Sequence, residues 1–468
     1  MNRPNIILLT VDCWRGDHVG VNPRSTVDTP AIDRLARDST YFSDAYTCGG
    51  WTKIAMTALM SSTYSSQFDF AAGKIDEQRP MLAESLQQQG YETAGFSTNM
   101  VCGAAQGFER GFDQFEDLRP DLGTSKSERL LAIRGVPRLA MHRPFRRGLS
   151  MLGLPLEPQY PTVDADGVVA GALEWLEQPH HEPYFLWLHF MDLHWPYKSA
   201  HRSKDWAEKD EMWIDRVEWR KLRNHRGRYH PGDERVERWK ELYREETESF
   251  DQALAPLLDS LRDRDDWDHT HLVMTGDHGE EFYEHGTWGH SWNQLHREGA
   301  NVPLIIRTAG SHSHRSVDTP VSHLDIAPTL LDLAGIQKPD GMIGESFSNE
   351  LRGEDSTLRP VASEMHGHRN STRYRLAITF NAYRYIYDGD RDRCSLFALD
   401  VDPDETDDVY DKDASVSRSF DQLRLAHVST GLLDVLKTGL PAIGEDIIYD
   451  LDADPKVVER LRALGYLD

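Results

Sequence analysis

The chain has little of three things. Cysteine is the first: four residues in 468, Cys13, Cys48, Cys102 and Cys394, with no CxxC pair. That scatter excludes a disulfide framework and a zinc ribbon. Long apolar runs are the second. No stretch of about 18 apolar residues occurs, so no membrane-spanning helix is expected. Lysine is the third. Only 12 of the 52 Lys+Arg are lysine, against 77 Asp+Glu, and the net charge is −25. This acidity argues against nucleic acid, whose phosphates need a basic face, and against an anionic membrane surface. An acidic, lysine-poor surface suits a salt-rich cytoplasm, where charge keeps proteins soluble under strong screening. High genomic GC content would favour arginine over lysine equally well. The N-terminal MNRPNIILLTVD has one arginine and a four-residue apolar run. That is too short for a secretory core, so it reads as a buried strand and the protein is expected to be cytoplasmic.

What is present is alternation. Short apolar runs lie at 6–9, 184–188, 271–274 and 302–306. They do not alternate with polar residues, which suits strands of a parallel sheet buried on both faces. Helical patterns fall between them at 31–37, 80–89, 164–176, 236–261 and 326–333. The pattern predicts a doubly wound α/β/α sandwich. Two regions break it: an irregular excursion at 118–160, and a charged helical insertion at 198–235 that carries Trp206, Trp213 and Trp219. Runs at 373–380, 383–387 and 395–399, with Asp-Gly and Asp-Pro turns, predict a small C-terminal α+β subdomain. The expected division is a catalytic domain over 1–360 and a subdomain over 361–468.

Open α/β sheets bind ligands beyond the carboxyl ends of their strands. Three expected strands end there in ligand-type side chains. Asp12 follows the first, His189, Asp192 and His194 the second, Asp277 and His278 the third. An isolated Asp in such a place is usually a turn residue or helix cap, and a lone His is usually structural. Three clusters in one chain are harder to dismiss. The densest stretch, TGDHGEEFYEHGTWGH at 275–290, sets Asp277, His278, His285 and His290 among four glycines. Carboxylate with imidazole suits Zn²⁺ or Mn²⁺, and carboxylate-rich variants suit Ca²⁺ or Mg²⁺.

These stretches, together with NIILLTVDCWRGDHVG at 5–20, TPAIDRLARDSTYFSDAYT at 29–47, LAESLQQQGYETAGFSTN at 82–99, GFERGFDQFED at 107–117 and FLWLHFMDLHWPY at 185–197, resemble the sulfatase family of the alkaline phosphatase superfamily. So do VPLIIR and HLDIAPTLLDLAGI within 302–336, and LFALDVDPDET at 396–406. The resemblance implies an alkaline-phosphatase-like fold and one divalent metal ion (Ca²⁺, Mn²⁺ or Zn²⁺) on Asp12, Asp277 and His278. Cys13 stands where many members have a second acid. That loses an oxygen ligand and favours a softer ion; Cys13 itself reads as a small buried apolar residue. The C/S-x-P-S-R motif that members mature to formylglycine is absent. Thr52 falls at the nucleophile position, with Ile54, Ala55 and Met56 in place of Pro, Ser and Arg. Cys48, four residues earlier, is not favoured for modification.

The resemblance therefore implies a metal-dependent hydrolase of sulfate or phosphate esters, on a small-molecule or glycan substrate. Thr52 would be nucleophile and metal ligand, unless it is only a helix N-cap. His194 would be the general acid. His290, His189, Asp192, Arg15 and Lys53 would serve the substrate or metal, although a surface role is the default for Arg15 and Lys53. His285 fits a structural role as well as a functional one. Two other readings remain open: a transferase of phospho-groups to glycans, and a metal-binding module that has lost catalysis.

Overall fold

The computed structural model describes residues 3–67, 74–118, 163–180, 183–195, 197, 229–290, 295–354, 358–366 and 374–430. Almost all of the excursions expected at 118–160 and 198–235, including the three tryptophans, lies outside these residues.

The first strand, β1 (Asn5–Val11), is buried along its whole length. Its even-numbered apolar residues and odd-numbered ones point to opposite faces, as a strand period of two requires. Ile6 and Leu8 join a core with Met56, Leu59, Leu82 and Leu330. These belong to α2 (Thr52–Ser61), α3 (Leu82–Gln87) and α6 (Ile326–Leu333). Ile7, Leu9 and Val11 join the other core, with Leu35, Val168 and Leu254. Those come from α1 (Pro30–Ala36), α4 (Ala165–Leu176) and α5 (Glu234–Arg262). The molecule is thus a three-layer α/β/α sandwich, as the apolar pattern predicts.

The other strands of the central sheet are β2 (Thr40–Tyr46), β3 (Glu92–Ser97), β4 (Gln114–Asp117), β5 (Tyr184–Phe190), β6 (Thr270–Gly276), β9 (Asn301–Arg307), β10 (Arg315–Val317) and β11 (Val321–Ser322). Their order is β10-β2-β9-β6-β1-β5-β3-β4, with β11 also on β2. A short hairpin of β7 (Glu281–Phe282) and β8 (Trp288–Gly289) stands apart.

One strand departs from expectation. The run at 302–306 reads as parallel, yet β9 is antiparallel to both neighbours, β2 and β6. The segment after β6 carries the β7–β8 hairpin and feeds β9 at the same end of the sheet, so β9 must run back. Burial on both faces removes polar alternation for either direction, and the apolar pattern cannot tell them apart.

The C-terminal subdomain is an antiparallel sheet of β12 (Val361–His366), β13 (Tyr374–Phe380), β14 (Tyr383–Asp388) and β15 (Arg393–Ala398). Helix α7 (Ala414–Thr430) packs Phe420 and Leu423 against Leu376 and Tyr385. Glu364, fully buried, fastens this subdomain beside α2. Its carboxylate accepts from Ser65 Oγ at 2.9 Å and Ser66 N at 2.7 Å, and pairs with His427 Nε2 at 3.0 Å. Within the sandwich, the buried Asp251 carboxylate of α5 accepts the N–H groups of Ala31 and Ile32 at 3.1 and 2.8 Å. It supplies from another helix the acceptors that the first turn of α1 lacks.

Asp251→Ala leaves those two N–H groups buried and unmet. Urea unfolding should show a loss of about 1–3 kcal/mol. An unchanged midpoint would mean that α1 does not depend on this bridge.

Candidate active site

β1 and β6 are parallel neighbours with Val11 opposite Gly276, so the residues that follow them emerge side by side. Asp277 N donates to Val11 O at 2.9 Å, and Asp12 N to Phe190 O at 2.9 Å. Cys13 turns the chain with φ +61° and donates its N–H to Asp277 Oδ1 at 3.0 Å. Gly276 is required here: a Cβ would sit 2.4 Å from Trp14 O.

His278 is oriented by its own turn. Nδ1 donates to Gly279 O at 2.9 Å, which leaves the Nε2 lone pair facing inward. Nε2 lies 3.1 Å from Thr52 Oγ1, 3.7 Å from Asp12 Oδ1 and 3.6 Å from Asp277 Oδ2. Thr52 is not the cap of α2. That position belongs to Trp51, and Thr52 begins the helix. Its hydroxyl instead reaches Asp12 Oδ2, 3.3 Å away. The reading of Thr52 as a mere N-cap therefore fails on geometry.

His189 places Nδ1 2.9 Å from Thr10 Oγ1, and its buried Nε2 has no hydrogen-bond partner. Ligand-type atoms of Asp12, His189 and Asp277 all lie within 4.8 Å of one another, as do those of Asp12, Cys13 and His278. His194 is hydrogen-bonded through Nδ1 to Trp195 O, and its ring centroid is 5.0 Å from that of His290. The His290 ring lies 4.7 Å from that of His278. Its Nδ1 is 3.3 Å from Cys13 Sγ and 3.3 Å from Glu280 Oε2. Cys13 is buried as expected, but it is not a mere space-filler: its thiol donates to Asp12 Oδ1 at 3.0 Å.

Three residues here carry no signal of their own in the sequence. Asn99 Nδ2 donates to Asp12 Oδ2 at 2.6 Å. Its place two residues past β3 is the one hint, since strand ends face ligands. Glu280 is buried beside His290. His323 backs the site, 3.0 Å from Thr275 Oγ1.

Other expected site residues are turned elsewhere. Asp192 Oδ1 accepts Ala165 N at 2.9 Å, at the start of α4. Arg15 pairs with Asp17 at 2.7 Å and Glu284 at 2.9 Å, and lines a separate pocket of about 360 Å³. Lys53 Nζ donates to Gln106 Oε1 at 2.8 Å. His285 stands at the seam with the C-terminal subdomain. It pairs with Glu298 at 3.0 Å and stacks at 3.6 Å on His296, which is held by Glu405.

Asp12, Asp277 and Glu280 are all buried. Among the described residues, imidazoles are their only basic partners for ion pairing. Burial would raise the Asp12 carboxyl, but His194, then His278, His189 and His290, hold it below the usual range. Burial and the neighbouring Asp12 push Asp277 well above it. Burial lowers His278 and His189 to about 4, so both are neutral lone-pair donors at ordinary pH. A divalent cation fits this set. It would satisfy the buried Asp277 Oδ2, which has no hydrogen-bond partner, and allow both carboxylates to ionise.

A sandwich that gathers two aspartates, an inward imidazole and a helix-borne hydroxyl at its strand ends has the architecture of alkaline-phosphatase-type ester hydrolases. The family model described as Sulfatase matches residues 4–336, and that of the N-sulphoglucosamine sulphohydrolase C-terminal region matches 283–426. The chain belongs to the sulfatase family and is a hydrolase of sulfate or phosphate esters. Arylsulfatase K of Gallus gallus is 24% identical over 461 residues, covering 90% of this chain and 82% of that protein. A sulfatase of Formosa agariphila is 23% identical, over 82% of this chain and 79% of its own length. The fold is shared with a putative sulfatase from Bacteroides thetaiotaomicron (TM-score 0.69, 20% identity, 97% of this chain and 96% of that one). It is shared too with the phosphonate monoester hydrolase of Agrobacterium radiobacter (TM-score 0.67, 20% identity, 94% and 96%). No helix among the described residues is long and apolar enough to cross a membrane.

The seam histidine sets a pH dependence. Burial lowers the His285 pKa, but the hydrogen bond and charge of Glu298 outweigh it and raise it to about 9. The folded chain then holds a proton that the unfolded chain releases near pH 6.5, so stability is full below that and is lost as pH rises toward about 9. Thermal melts from pH 6 to 10 should show this decline in the native chain and a flatter profile in His285→Gln. Parallel profiles would contradict it.

Proposed function

We propose that Thr52 is the nucleophile of an in-line displacement at the sulfur or phosphorus of an anionic ester. The observation that carries this is the position of Thr52 Oγ1, 3.3 Å from Asp12 Oδ2 and 3.1 Å from His278 Nε2 at the start of α2. A free hydroxyl is a poor nucleophile at neutral pH. A divalent ion on Asp12, Asp277 and His278 would supply Lewis acidity and lower the pKa of an oxygen it binds. The nitrogen donors and the thiol in place of a second acid favour Mn²⁺ or Zn²⁺ over Ca²⁺.

The chain's own groups do the rest. Asn99 holds Asp12 Oδ2, so that carboxylate meets Thr52 in a fixed orientation. The N-terminus of α2, a ten-residue helix, presents partial positive charge to a bound anion. His290 and His194 stand next to each other beside the thiol, where they can meet charge developing on the departing oxygen. An unmodified threonine, with Met56 buried where the family carries arginine, favours phosphodiester or phosphonate monoester cleavage over sulfate ester cleavage.

The test is turnover of an aryl sulfate, an aryl phosphate, a bis-aryl phosphodiester and an aryl phosphonate, at low and high salt. Metal-loaded protein should prefer the diester or phosphonate. Thr52→Ala should lose at least about 10³-fold in kcat, as removal of a nucleophile does. Turnover that survives Thr52→Ala would overturn the assignment, and preference for the aryl sulfate would overturn the substrate class.

A further inference from the structure

Beside the Asp12–Asp277–His278 cluster lies a second set of donors. Ligand-type atoms of Cys13, His194 and His290 all lie within 4.8 Å of one another. We infer that these three residues form a second divalent-cation site, of the zinc class, contiguous with the first. This rests on reading the first cluster as the reaction centre.

Three observations support it. The spacing fits. Thiolate and imidazole donors bonded to one tetrahedral zinc ion at about 2.3 and about 2.0–2.1 Å sit about 3.5 Å apart. Cys13 Sγ and His290 Nδ1 are 3.3 Å apart. The orientation fits as well. His194 donates Nδ1–H to the Trp195 carbonyl, which fixes its tautomer and leaves Nε2 as the donor. Such a hydrogen bond from the second ring nitrogen is how metal-ligating histidines are held.

The charge also fits. Glu280 is 1% exposed, and its Oε2 lies 3.3 Å from His290 Nδ1. Its Oε1 is buried without a hydrogen-bond partner. A dication there would lie beside this buried carboxylate, and binding it would release the Cys13 thiol proton to solvent. One thiolate and two imidazoles are a soft set that selects zinc over calcium. Three protein ligands leave a fourth position for water or an ester oxygen. Occupied, the site would offer the departing oxygen a cation in place of a proton from His194, as in two-metal ester hydrolases.

The experiment counts metal rather than turnover, so it stands or falls apart from the hydrolase reading. Chelator-stripped protein is reloaded with excess Zn²⁺ or Co²⁺ and desalted. Ions per chain are measured by mass spectrometry, and the cobalt form is scanned for thiolate-to-metal charge transfer in the near ultraviolet. The native chain should hold two ions and show the band. Cys13→Ser should hold one and lose the band. His290→Ala, at a partly exposed position, should also hold one. Asp277→Asn should lose the other ion and keep the band. One ion per chain without the band would overturn the site. One ion with the band would overturn it too, because Cys13 would then serve the first cation alone.

Discussion

The structure depends on two aspartates buried side by side. Parallel pairing of β1 with β6 puts Asp12 and Asp277 at adjacent strand ends, and the backbone locks them there through Asp277 N to Val11 O and Cys13 N to Asp277 Oδ1. Two carboxylates in a dry site repel each other and cannot both ionise without positive charge nearby. No lysine or arginine among the described residues pairs with either, and burial keeps His189 and His278 neutral. Among the described residues the fold gives this acidic cavity no lysine or arginine as an ion-pair partner. A divalent ion bound there would resolve that conflict, and on the proposed reading it would also activate Thr52.

Everything around the pair serves its orientation. The Gly279 carbonyl sets the tautomer of His278, Asn99 holds Asp12, and α2 brings Thr52 in at its first turn. Glu364 ties the C-terminal sheet to the segment just after α2, so the helix that carries Thr52 is braced by that sheet as well as by the sandwich. The His285–Glu298 and His296–Glu405 pairs form a second brace at the seam.

Much of this was legible in the residues. Continuous apolar runs followed by Asp12, by His189 and His194, and by Asp277 and His278 marked the strands and the end of the sheet where chemistry gathers. Four kinds of information were not legible. The direction of β9 was hidden because double-sided burial erases polar alternation. Asn99, Glu280 and His323 were hidden because each is a single polar residue whose meaning comes only from what folds against it. Asp192 looked equivalent in sequence to the strand-end residues that converge, and Arg15 was read as a candidate for holding the substrate with a surface role as the default, yet a neighbouring helix start claims the first and two carboxylates the second. Cys13 was read as a space-filler, and its thiol faces Asp12 and His290 only because of a left-handed turn at that residue.

The most direct test of the central claim is the thermal stability of chelator-stripped protein, with and without added Mn²⁺ or Zn²⁺, for the native chain and Asp277→Asn. If the paired carboxylates are the constraint, stripping lowers the native melting temperature and metal restores it. The stripped Asp277→Asn protein should then melt higher than the stripped native chain and respond less to metal. Equal melting of stripped and loaded native protein, with no gain from Asp277→Asn, would contradict the account.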